Sequence, residues 1–110
     1  MIENDLAYAM YDPLPVSPYH SLIISKRHVE SYFDLNEKEV LAFNALLQEM
    51  REIILAKKRQ ITGFNIGVDS GKDAGQRIFH GHMHLIPRRV GDTHKTEGGV
   101  RNILPEQGRY

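Results

Sequence analysis

The apolar residues of the chain recur with two different periods. From Glu37 to Lys58 they fall three and four apart, at Val40, Phe43, Leu47, Met50 and Ile54 with Leu41 and Ile53 beside them, which predicts one long helix with a single packing face. Asn36 stands at the N-cap position and Glu39 three residues on, a capping box with asparagine in the usual Ser/Thr place. Lys57, Lys58 and Arg59 close the segment, where the helix dipole favours cations.

Elsewhere the apolar runs are short or alternate. Leu6 to Tyr11 predicts a strand stopped by Asp12-Pro13, after which Pro13, Pro15 and Pro18 stiffen a loop. His20 to Ser25 predicts a second strand, bounded by the polar turn Lys26-Arg27-His28, with His20 at its start. Thr62 to Val68 reads as a third, followed by turn formers from Asp69 to Gly75. Arg77 to Ile86 reads as a fourth, ended by Pro87. Residues 90–110 are polar and glycine-containing, and an extended tail is expected there. Strands that outnumber helices predict an α+β fold, an antiparallel sheet of about five strands with one long helix packed on it.

Length and charge narrow the function. A chain of 110 residues, 41% apolar and 25% charged, suits a single domain, 1–110. With 14 Lys plus Arg against 14 Asp plus Glu there is no global field to hold nucleic acid or an anionic membrane, so neither is an expected partner and any anion must be held locally. The absence of cysteine removes disulfides, thiol nucleophiles and thiolate zinc sites. No apolar run approaches the ~20 residues needed to span a bilayer, and the first residues lack the marks of a signal peptide, so a cytoplasmic protein is expected.

The candidate chemistry lies in His80, His82 and His84. Alternate residues of a strand share a face, so a strand here presents three imidazoles on one side and Phe79, Gly81, Met83 and Leu85 on the other. Alternate Cα atoms lie about 6.6 Å apart, putting the outer two about 13 Å apart, whereas ligand nitrogens on a tetrahedral zinc converge to roughly 3.3 Å. Two of the three could chelate, with His20 or His28 as a third ligand. A row of rings suits an elongated anion better: each donates N–H to an oxygen and one can attack phosphorus. Gly71, Gly75 and the loop amides before the strand could add donors.

The segment Gly75-Gln76-Arg77-Ile78-Phe79-His80-Gly81-His82-Met83-His84-Leu85-Ile86-Pro87-Arg88 resembles the signature of the histidine-triad family, His-φ-His-φ-His-φ-φ with φ apolar. The resemblance extends upstream through Pro15-Val16-Ser17-Pro18-Tyr19-His20 and Lys26-Arg27-His28-Val29 and covers the chain to about Arg89. It implies a homodimer of α+β subunits that binds a purine nucleotide and needs no cofactor or metal. It further implies His82 as nucleophile, flanked by His80 and His84, with His20 as fourth member of the site. Asp12 matches the residue that binds ribose hydroxyls, and Gly75, Gln76 and Arg77 match positions that hold the α-phosphate. Asp69 stands where many members carry asparagine near the leaving group. The implied activity is cleavage or transfer at the α-phosphorus of AMP-linked substrates, dinucleoside polyphosphates or nucleoside phosphoramidates, through a nucleotidyl-histidine. A non-catalytic nucleotide-binding module and a histidine-based metal-binding protein remain the alternatives. Gly81 departs from the apolar φ and is expected to let another backbone or side chain approach.

Overall fold

The computed structural model describes residues 1–57, 60–93 and 96–104. Five strands, β1 (Ile2–Glu3), β2 (Ala7–Tyr11), β3 (Ser21–Ser25), β4 (Ile61–Gly67) and β5 (His82–Arg89), form one sheet in the order β1-β2-β3-β5-β4. Every pairing is antiparallel. A single long helix, α1 (Glu37–Leu55), joins β3 to β4. Among the described residues no helix is long and apolar enough to cross a membrane.

The helix starts where its sequence predicts. Asn36 accepts the Glu39 amide at 2.9 Å and Glu39 returns a carboxylate oxygen to the Asn36 amide at 2.9 Å, closing the capping box. Glu39 is buried, because Arg27 from the loop after β3 meets both its oxygens at 3.0 and 2.7 Å and holds the carboxyl below its usual range. The helix ends at Leu55, with Ala56 as C-cap, short of the expected Lys58, which lies outside the described residues. Its buried stripe runs Glu39, Phe43, Leu46, Met50, Ile54; Leu41, expected on the packing face, is 63% exposed.

That stripe covers one face of the sheet. Ala7 and Ala9 on β2, Ile23 on β3 and Leu85 on β5 form the core with Phe43, Leu46, Met50 and Ile54. The register pairs Ile23 with Met83 and Ser21 with Leu85 on this side, so Leu22 and Ile24, paired with His84 and His82, face the other way. One side of β5 is therefore core and the other carries histidines. At the far edge Asn4 binds the amides of Leu6 and Ala7 through its oxygen and donates to the Ala42 carbonyl, tying the β1–β2 turn to α1.

Two boundaries differ from the sequence reading. Residues 77–81 do not join the ladder, and β5 begins at His82; the Gly81 amide bonds the Val29 carbonyl at 2.8 Å instead. At the other end Pro87 lies inside β5, buried and paired with Phe64. The β3 ladder has stopped at Leu85, and the Pro87 carbonyl on that side takes the Ser17 hydroxyl at 2.8 Å, so the missing proline N–H interrupts no ladder. Within the expected tail, Gly99–Ile103 forms a 3-10 turn, while His94, Lys95 and residues 105–110 lie outside the described residues.

Candidate active site

The unpaired face of β5 and the loops beside it gather five histidines. His20, just before β3, and His84 place Nε2 and Nδ1 2.9 Å apart. The His84 and His82 rings follow, with centroids 5.3 Å apart. His80 lies one step outside the strand and meets not His82 but His28, their Nδ1 atoms 3.1 Å apart. The histidines thus sit as a trio, His82, His84 and His20, and a pair, His80 and His28, joined through the backbone of residue 80.

Backbone partners fix which nitrogen carries each proton. The Val16 amide donates to His20 Nδ1 at 3.1 Å, so the neutral His20 ring carries its hydrogen on Nε2 and donates to His84 Nδ1. His84 then keeps its hydrogen on Nε2. His82 Nδ1 lies 2.7 Å from the His80 carbonyl, an acceptor only, so its hydrogen is there and its Nε2 carries a lone pair. Burial pushes the pKa of His20 down against the opposing charge of Asp12. Burial also lowers that of His84, helped by His20 and His82 and opposed by Asp69 and Asp12. Both rings are therefore held in the neutral forms that the bonds require.

The carboxylates lie beside these rings. Asp12 Oδ1 accepts the Leu14 amide at 2.9 Å, and its Oδ2 lies 3.4 Å from His20 Nε2. Asp69 is half-buried, its carboxylate 3.8 Å from where a Cβ on Gly75 would stand, and its charge acts on His84. Across the sheet from His84, Gly67 of β4 faces open space. Beside His20, Tyr19 holds a left-handed backbone, φ 70°, a conformation costing a non-glycine residue roughly 1–2 kcal/mol.

The loop before the triad differs from its expected role. The amides of Gly71, Ala74, Gly75 and Gln76 all bond within the loop, to Gln76 Oε1, Gly71 O, Lys72 O and Gly71 O. These four amides are therefore already taken within the loop. Gln76 is buried, and its side-chain nitrogen donates to Glu30 O at 2.6 Å and Ile78 O at 3.0 Å, so both amide hydrogens are committed to backbone. Gln76 braces the chain between two loops. Arg77 is exposed.

A metal fits the group Asp12, His20 and His84 poorly. Asp12, His20 and His84 offer ligand atoms within 4.8 Å of one another, but the Val16 amide leaves a hydrogen on the His20 nitrogen that points into the group. A cation there would face an N–H rather than a lone pair.

His28, considered from the sequence only as a possible third zinc ligand in a polar turn, instead meets His80. Gly81 carried the signal: a Cβ there would meet Val29 Cγ2 at 3.1 Å and the Ser31 carbonyl at 3.2 Å, so the glycine admits the strap that brings His28 in.

An antiparallel sheet covered by one helix, its bare face carrying histidines from a single strand, defines the class of protein. The chain belongs to the HIT domain family, whose model matches residues 1–91. It is 37% identical over 86 residues to an uncharacterised HIT-like protein of Mycoplasma pneumoniae, covering 78% of this chain and 59% of that one. It is 33% identical over 87 residues to the asymmetrical bis(5'-nucleosyl)-tetraphosphatase of Schizosaccharomyces pombe, covering 79% and 47%. A crystal structure of a HIT family protein from Bacillus anthracis superposes with a TM-score of 0.77 at 30% identity, covering 84% of this chain and 64% of that one. The chain thus spans about three fifths or less of these curated relatives' length.

Proposed function

We propose that the chain cleaves or transfers at the α-phosphorus of AMP-linked nucleotides through a covalent nucleotidyl-His82. The observation that carries this reading is the hydrogen bond from His82 Nδ1 to the His80 carbonyl, which presents a lone pair on Nε2 of a ring whose centroid lies 5.3 Å from that of His84. The yeast tetraphosphatase among its relatives supports the substrate class.

In the first step His82 Nε2 attacks phosphorus, an N–P bond forms, and the bond to the leaving oxygen breaks with its electron pair. His84 donates its N–H to a phosphoryl oxygen as charge gathers there. The His80 carbonyl stabilises the resulting imidazolium through the Nδ1 hydrogen bond. In the second step water attacks phosphorus, the N–P bond breaks, its electron pair returns to Nε2, and the water proton passes to solvent. Burial lowers the pKa of both His20 and His84, so neither is a ready proton source for a leaving group. This favours leaving groups that depart as anions, polyphosphates, over amines. Asp12 and Arg77 are proposed to contact ribose and phosphate, Gly75 and Gln76 to shape the loop, and a homodimer is the proposed assembly.

Mass spectrometry after brief incubation with a dinucleoside tetraphosphate tests this directly. An adenylyl mass on His82 is expected, and His82→Ala should lose the adduct and lower turnover on the order of 10⁴-fold or more, as loss of a covalent nucleophile does. Chelator should leave the wild-type rate unchanged. Wild-type turnover by His82→Ala would refute the reading, and binding without turnover by the wild type would make the chain a nucleotide-binding module.

A further inference from the structure

The carbonyl that sets the tautomer of His82 belongs to a residue outside the sheet. His80 precedes β5, and the peptide carrying that carbonyl is held outside the ladder by its Gly81 amide, which donates to the Val29 carbonyl at 2.8 Å. The His80 ring adds a second hold, at both nitrogens. Nε2 lies 2.6 Å from the Ser25 carbonyl and therefore carries the hydrogen, leaving a lone pair on Nδ1 in the neutral ring. That lone pair faces His28 Nδ1 at 3.1 Å, so His28 is the donor there and exposes a bare Nε2 to solvent.

His28 reaches this position because its strap is fastened down. Gln76 donates to the Glu30 carbonyl at 2.6 Å, and the Val29 carbonyl takes the Gly81 amide at 2.8 Å. The side chain of Val29 and the Ser31 carbonyl press on Gly81 so closely that no Cβ fits without displacement. Ser25 anchors the other end: its amide bonds Gly81 O at 3.3 Å and its hydroxyl bonds Arg27 O at 2.8 Å.

We infer that His28 is a positioning residue that clamps the His80 ring against Ser25 and so holds the His80 carbonyl on His82 Nδ1. The inference rests on His82 being the nucleophile, but its effect on the His82 tautomer is measurable without turnover. A released His80 ring would leave that peptide on the Gly81–Val29 bond alone, and a tilt of its carbonyl away from Nδ1 would let His82 sample the tautomer with hydrogen on Nε2, which has no lone pair for phosphorus. Asparagine places an amide N–H near the position of His Nδ1 and can donate to His80 in its place.

The test combines nitrogen-15 NMR of the histidine rings with steady-state kinetics on a dinucleoside tetraphosphate, for wild type, His28→Ala and His28→Asn. Wild type should show His82 as the Nδ1–H tautomer alone. His28→Ala should show a mixture and lower kcat about tenfold with little change in KM, a modest loss for a group that orients a catalytic base or nucleophile. His28→Asn should recover the single tautomer and most of kcat. Thermal unfolding of each variant separates this effect from loss of fold. A single Nδ1–H tautomer in a folded His28→Ala would overturn the inference, whatever its rate. A mixed tautomer with undiminished kcat would support the clamp and overturn its expected effect on turnover, while the His82 adduct separately tests the nucleophile.

Discussion

At the scale of the residue, the most demanding position is a glycine. Gly81 separates two histidines in sequence, and it is buried where the 29–31 strap crosses. Gly81→Ala would push Val29 Cγ2 from 3.1 Å and the Ser31 carbonyl from 3.2 Å, and overpacking of this kind destabilises by about 1–3 kcal/mol. Urea unfolding should show that loss, with the His28 and His80 ring signals shifting together. The histidine triplet was legible because alternation is a local rule, and the need for close approach at Gly81 was legible as a missing side chain. What approaches it was not, because His28 and His80 stand 52 residues apart and only the sheet brings them together.

At the scale of the element, local signals were read well and non-local ones were not. The capping box of α1 involves only Asn36 and Glu39, three residues apart, and stands as the sequence predicts. Asn36→Ala should cost about 1 kcal/mol in the same unfolding measurement, the usual worth of such a cap. The buried stripe was read with Leu41 in place of Leu46, since both satisfy a helical period and only the direction of the sheet chooses between them. The limits of β5 were misread for the same reason. Proline reads as a strand terminator unless one knows that the neighbouring strand has already ended, and residues 77–81 read as strand unless one knows that Val29 takes the Gly81 amide. The two-residue β1 is too short for alternation to register.

At the scale of the whole molecule, the helix covers one face and leaves the other to the histidines, so burial of those rings depends on the loops around them. His20 and His84 both ionise below the ordinary 6.5, chiefly through burial. The unfolded chain therefore takes protons near pH 6.5 that the folded chain refuses. The contribution of these neutral rings to stability is complete above that pH and declines as the pH falls through 6.5 toward the lower folded values. The urea midpoint should decline beneath pH 6.5, and the double variant His20→Gln, His84→Gln should decline less over that window.

The bond from the Val16 amide to His20 makes the relay one-way. One peptide hydrogen in a proline-rich loop points every later N–H outward, through His20 and His84 to the bare face. In the proposed reaction, polarity at phosphorus is thus set by a main-chain group whose own side chain is 74% exposed. Val16→Pro removes that hydrogen while keeping the loop's composition. His20 should then place its proton on Nδ1 and His84 should turn a lone pair toward substrate, a reversal that nitrogen-15 shifts would show and that should lower kcat with the fold intact. Side-chain variation at Val16 short of proline should pass unnoticed, because what orients the proposed relay is written in the backbone.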